Sequence, residues 1–274
     1  MVAVLLLTVG ILVVIDGIFL ILHAADPNTY GPAGGLQKLR GFSFAFIQTF
    51  GIASVLVGAA VGSTDLSDGV FRHMVATGRS RLAIFIAKVP AGLLVIIPVT
   101  ALAYALEAIV ATYFAPSGSV QTGIPAAIAN HPGGSIQVAP LILQSATPSI
   151  HLLVQVGLWL MLQVVVAFVL GLGLGSLTGS RSATIAVLIA LQLVVTPLLS
   201  GVSIPHLINL QRAFVGVAMA QLEPSGLSGF AGGGNQGNIL GIPAAPVFGV
   251  AIVISAWVAG WLVLGAWRAV KRDA

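Results

Sequence analysis

Residues 151–176 read HLLVQVGLWLMLQVVVAFVLGLGLGS. The stretch holds no Asp, Glu, Lys or Arg, and it is long enough to cross a bilayer, which takes about 20 mostly apolar residues in a helix. Alternation of apolar and polar residues, the mark of a membrane strand, is absent. A polypeptide inside lipid must satisfy its own backbone, so without strands only a helix remains. Gly171 and Gly175 lie four apart in this helix and form a small-xxx-small contact face for a neighbour. The Gly171-Leu-Gly-Leu-Gly175 run superficially resembles a dinucleotide loop, but no strand precedes it.

The same reading extends outward to six spans, roughly 1–22, 41–62, 82–110, 151–176, 183–203 and 247–267. Of 274 residues, 58% are hydrophobic and 7% charged, and the mean hydropathy is +1.08. Soluble domains carry about a quarter charged residues, and a soluble chain of this length could not hide so much apolar surface. The expectation is an all-α membrane protein forming a single transmembrane bundle over 1–274. The first span carries Asp16, yet sixteen Leu, Ile, Val and Phe residues outweigh one acid and it should insert. It has no basic n-region and its apolar run is long, so it reads as a span rather than a cleaved signal peptide.

Orientation follows from the eleven Lys and Arg residues. With the N-terminus inside, Arg72, Arg79, Arg81, Lys88, Arg181, Arg268, Lys271 and Arg272 are cytoplasmic, and Lys38, Arg40 and Arg212 are external. Eight against three fits the positive-inside rule and puts both termini in the cytoplasm. The pI near 10.0 therefore points to membrane topology and not to nucleic acid. Residues 115–150 read as an external loop. Residues 205–223 read as short external or re-entrant helical structure, with Leu207, Leu210, Phe214 and Val217 at helical spacing. Ser225–Asn238 reads as a Gly-rich linker.

Between spans two and three, residues 63–81 read STDLSDGVFRHMVATGRSR. Thr64 is placed to cap a helix, with Asp65 and Asp68 in its first turn. Leu66, Val70, Phe71, Met74 and Val75 share one face. Asp68 and Arg72 form an i,i+4 pair, and Gly78 terminates the helix ahead of Arg79 and Arg81. This predicts a short amphipathic cytoplasmic helix, which either lies on the headgroups or docks to a partner.

The run Asp68-Gly69-Val70-Phe71-Arg72, then Gly78-Arg79-Ser80-Arg81, then Lys88, resembles the signature of type-2 ABC-transporter permeases. That family is similar in topology too, with six spans, both ends inside, a cytoplasmic helix between spans two and three and short external helices before the last span. The resemblance implies a coupling helix gripped by a separate ATPase subunit, and a second permease copy completing a dimer that exports its cargo. Asp65, Asp68, Gly69, Phe71, Arg72, Met74, Val75, Arg79 and Arg81 would form the ATPase-coupling interface. Two departures stand out. Val70 replaces the commoner Thr, and apolar residues follow Met1 where the family usually has a basic amphipathic helix; either the start lies upstream or this branch lacks it.

Asp16 and Glu107 are the acids within spans, and such groups are candidates for a substrate path or gate; placed near the outer ends of their helices, they can equally reach water. They also motivate the alternative of a secondary transporter or channel driven by an ion gradient. Pro90 and Pro98 can kink the third span. Gln48, Gln155, Gln163 and Gln192 read as ties between helices. With no Cys, five scattered His and no Gly-x4-Gly-Lys-Ser/Thr, no catalytic, metal or cofactor site is expected, and any ATP must be hydrolysed by another polypeptide. An intramembrane enzyme is the weakest reading. The mostly uncharged interior mildly favours lipophilic cargo. The expected location is a cell membrane, and a bacterial plasma membrane in particular.

Overall fold

The computed structural model describes residues 2–26, 30, 33–67, 80–115, 147–195, 198–199, 205–224, 227 and 245–271. These residues are all helical or connecting. Five helices are long and apolar enough to cross a membrane: α1 (Val2–Ala25), α2 (Leu36–Ser67), α3 (Arg81–Tyr113), α4 (Ile150–Thr178) and α8 (Val247–Lys271). The chain thus has the make-up of a multi-pass helical membrane protein. Between α4 and α8 come α5 (Arg181–Ala190), a π-helical turn Leu191–Val195, a 3-10 turn Pro205–Leu207, α6 (Ile208–Arg212) and α7 (Val215–Gln221).

The boundaries depart from the apolar windows in three places. Helix α2 starts at Leu36 rather than near 41, so Lys38 and Arg40 lie on its first turns. It then runs on through Ser67, so Thr64 continues α2 instead of starting a separate helix. Of the helix expected over 64–78, the part from Asp68 onward, with Arg79, lies outside the described residues, as do most of 115–150 and 225–238. Over the expected fifth span, 183–203, the described residues are α5, the π turn and 198–199. Helix α3 continues through Pro90 and Pro98.

Helix α4, the opening stretch of the sequence analysis, is the centre of the bundle and packs on α2, α3, α5 and α8. Its glycines decide how. On one face, a Cβ at Gly171 would lie 2.7 Å from the Val55 carbonyl oxygen, and one at Gly175 would lie 2.8 Å from that of Ala59. Facing them on α2, a Cβ at Gly62 would lie 2.5 Å from the Leu172 carbonyl oxygen, and Gly58 abuts Phe168 and Leu172. The two backbones therefore touch, running parallel, and the Ser176 hydroxyl donates to the Gly62 carbonyl at 3.2 Å. The small-residue face expected at Gly171 and Gly175 is present; its partner is the matching pair Gly58 and Gly62. Gly173 points the other way, against Trp261 and Gly265 of α8.

Helix α3 runs antiparallel to α4, with the Tyr104 hydroxyl donating to the Leu153 carbonyl and Phe168 filling the space above Gly92. Along α2 a ladder of Phe42, Phe46 and Phe50, with centroids 5.4 and 4.4 Å apart, forms the apolar core with Leu39, Ile96, Leu160 and Leu172. Hydroxyls that face lipid or core, such as Ser43, Ser63 and Thr100, donate to carbonyls one turn back. That local bond satisfies them where no water is present.

Helix α4 stops at Gly179, whose φ of 67° suits a residue without a side chain. Its amide bonds the Gly175 carbonyl at 2.9 Å, and Ser180 at once caps α5. Residues 205–223, expected as one helical pattern, break at Ala213–Phe214. There the Trp257 indole donates to the Ala213 carbonyl at 2.8 Å and the Phe214 ring packs edge-on against it. Helix α7 is buried between α4 and α8, and the Trp159 indole donates to its Met219 carbonyl at 2.9 Å. Trp159→Phe removes that bond and leaves the Met219 carbonyl the Leu222 amide alone, 3.2 Å away, so it should cost about 0.5–1.5 kcal/mol. A lowered unfolding temperature in detergent would record it, whereas Trp267→Phe, at a ring that is half exposed, should leave the temperature unchanged.

Candidate functional site

The five long helices give the bundle two ends. One collects Arg81, Arg181, Arg268 and Lys271, at the start of α3, the start of α5 and the end of α8. There the Ser80 hydroxyl caps α3 by accepting from the Ala83 amide, and the Arg81 guanidinium reaches the Val270 carbonyl at 3.4 Å. The ammonium of Lys271 lies 4.9 Å from the Trp267 ring centroid, a pairing typical of a membrane–water boundary. Of the residues singled out for a coupling interface, Arg81 lies in this basic end, and Asp65 belongs to the last turn of α2. Asp68, Gly69, Phe71, Arg72, Met74, Val75 and Arg79 lie outside the described residues.

The opposite end holds the two intramembrane acids, and the structure brings them together. The junction that does so is Ala33-Gly34-Gly35-Leu36. Gly35 takes φ 90°, and its amide donates to the Ala111 carbonyl of α3 at 2.7 Å. A Cβ at Gly34 would lie 2.6 Å from the Ala115 nitrogen. These glycines let the first turn of α2 rest on the last turns of α3. Lys38, one turn into α2, then meets Asp16 of α1 at 2.7 Å, and its ammonium also lies 4.4 Å from the Phe19 ring centroid. The pair is mostly buried, with side chains 14% and 16% exposed. Removing one partner of such a pair strands the other charge, which in buried settings costs about 3–5 kcal/mol.

Glu107 lies beside this pair on the inward face of α3, in line with Thr100, Ala103 and Ala111. It is 1% exposed, and its carboxyl lies against that of Asp16, with which it shares a side-chain hydrogen bond. Asp16 and Lys38 are the charged groups that act on it most, and Glu107 in turn acts on Tyr104, one turn earlier. Water access, one of the two placements open to Glu107 from sequence, is therefore not what the fold provides. Among the described residues no three His, Asp or Glu side chains converge as a metal site would require.

Compared with known protein families, with curated proteins and with solved structures, the chain matches none.

A further acid at the same end as Lys38, Glu223, follows α7. Burial pushes its carboxyl up to about 7, and Arg40 of α2 pulls the other way. Lys38 and the Gly34–Gly35 junction are what sequence reasoning missed. The signal was there: two glycines followed by apolar Leu36 and Leu39 around Lys38, a helix start ahead of the hydropathy window.

Proposed function

We propose that the chain is the membrane permease subunit of a type-2 ABC transporter in a bacterial plasma membrane. It would work as a dimer with two separate ATPase subunits and export a lipophilic cargo. The observation that carries this reading is the Asp68–Arg72 and Gly78–Arg81 signature in its setting between two long helices. Helix α2 extends a turn beyond its membrane-length window, Leu36–Ser63, as far as Ser67. Helix α3 begins at Arg81, capped by Ser80 and tied to α8. A connection held between two stiff helices suits a lever that converts ATPase closure into a tilt of the spans. Phe71, Met74 and Val75 would be its apolar anchors, with Asp65, Asp68, Arg72, Arg79 and Arg81 fixing register on the partner. The clustering of Arg81, Arg181, Arg268 and Lys271 at one end supports an orientation with that end in the cytoplasm. In this reading α5 and the π turn begin the fifth of six spans, and both termini lie inside.

Affinity purification of the chain from native membranes should bring an ATPase with it. Asp68→Lys and Arg72→Glu should each cut ATP-driven transport more than tenfold while leaving the chain folded and inserted. Transport untouched by both reversals, with no ATPase recovered, would sink the reading.

The juxtaposition of Asp16, Lys38 and Glu107 favours a second reading, a secondary transporter coupled to an ion gradient. Transport that survives ATP depletion and collapses when the proton gradient is dissipated would select it.

A further inference from the structure

We propose that one face of α8 binds an anionic phospholipid, with an acyl chain in a notch over Ala256–Leu264 and the phosphate on Arg268 and Lys271. The notch is an open hollow of about 230 Å³ lined by Ala256, Trp257, Gly260, Trp261 and Leu264. Small residues make its floor, and among the described residues nothing lies within 4 Å of a Cβ at Gly260. Its aromatic walls are held in place. The Trp257 indole donates to the Ala213 carbonyl at 2.8 Å, and the Trp261 backbone rests against Gly173 of α4. A hollow left empty forfeits the contacts its lining could make, so in a bilayer it favours a chain that fills it.

Charge at the end of the same face selects the occupant. At 3.6 residues per turn, Trp267, Arg268 and Lys271 share with the five lining residues an arc of about 140°. Lys271 lies about 10 Å beyond Leu264 along the helix. Both cations are exposed, and neither meets a carboxylate among the described residues. The Lys271 ammonium lies 4.9 Å from the Trp267 ring centroid and keeps N–H donors for a phosphate. Arg268 can hold a phosphate through two N–H groups at once. Apolar contact alone sets no lipid apart, because every acyl chain is equally apolar and ordering one in a narrow hollow costs entropy. An ion pair at the headgroup is the second attachment that favours one class of lipid. A phospholipid of net negative charge satisfies both attachments, whereas a zwitterionic one sets its own ammonium beside Arg268 and Lys271.

The inference goes beyond the transporter reading and stands without it. Three of the four tryptophans, Trp257, Trp261 and Trp267, lie on this face, and the fourth, Trp159, is buried. Bromine on mid-chain carbons quenches indole fluorescence on contact, so the site reports its own occupant. The full chain in phosphatidylcholine vesicles should be quenched more by brominated phosphatidylglycerol than by the same fraction of brominated phosphatidylcholine. The relative binding constant should favour the anionic lipid at least fivefold. Gly260→Leu fills the notch and leaves the charges, and should lower that preference at least threefold with an unchanged unfolding temperature. Arg268→Gln combined with Lys271→Gln keeps the notch and should bring the preference below twofold. This second variant keeps the test open should the first fail to fold. Glycerol phosphate, which has a phosphate and no chain, should not compete. A second copy of the chain seated on this face would instead shield the tryptophans from both lipids, and Gly260→Leu would then dissociate the oligomer. That outcome overturns the proposal, as does equal quenching of the wild type by the two lipids or a full preference in either variant.

Discussion

Replacing Gly171 by leucine will drive α2 away from α4 and leave little of the chain monodisperse in detergent. A Cβ there already lies 2.7 Å from the Val55 carbonyl oxygen and 3.1 Å from the Ala59 nitrogen, so three further carbons have nowhere to go. The obstructing atoms are backbone in both cases, and no rotamer change can move them aside. In lipid the apolar side chains gain nothing by leaving the solvent, and close packing is what holds helices together. Loss of the contact therefore removes the main stabilising interface of the bundle, with the Ser176–Gly62 hydrogen bond. Overpacking a core costs about 1–3 kcal/mol even where side chains can yield; against fixed backbone the loss should exceed that range. Gly62→Leu should behave alike from the other side. Gly10→Leu and Gly260→Leu should be harmless, since nothing lies within 4 Å of a Cβ at either. Thermal unfolding followed by size-exclusion chromatography orders the four variants, and a Gly171→Leu protein as stable as the Gly260→Leu one would refute the packing account.

This interface was half legible in the sequence. The spacing of Gly171 and Gly175 marks a contact face because only small residues let helix backbones meet, and that follows from helix geometry alone. Which helix answers it does not follow, because many small residues recur four apart in a chain with 33 glycines. The other misses share a cause. Hydropathy windows stop at charges, so Lys38 and Arg40 hid the start of α2, although a backbone goes on hydrogen bonding past a charged side chain. The period at Leu207, Leu210, Phe214 and Val217 promised one helix. Trp257, more than forty residues later, takes the Ala213 carbonyl and makes a break there acceptable. The burial of Glu107 is likewise tertiary. On α3 alone it lies two turns from the helix end and could face water; the crossing of α1 and the docking of α2 cover it.

Gly34→Val should uncouple that cluster without dissolving the bundle. The new side chain would meet the backbone of Phe114 and Ala115 at the last turn of α3, so the first turn of α2 must lift away. The Gly35 amide then loses the Ala111 carbonyl, now 2.7 Å away, and Lys38 is carried off Asp16. Two costs follow, a stranded ion pair and an unpaired amide, so the unfolding temperature should drop by several degrees. Gly35→Ala tests the same hinge more gently. At φ 90° a β-carbon costs about 1–2 kcal/mol and the contact itself survives. Gly41→Val, one turn beyond Lys38 with nothing within 4 Å, should leave the unfolding temperature unchanged. The informative comparison is with that control. If Gly34→Val unfolds at the same temperature as Gly41→Val, the contact of Gly34 and Gly35 with the last turn of α3 is not what holds Lys38 on Asp16.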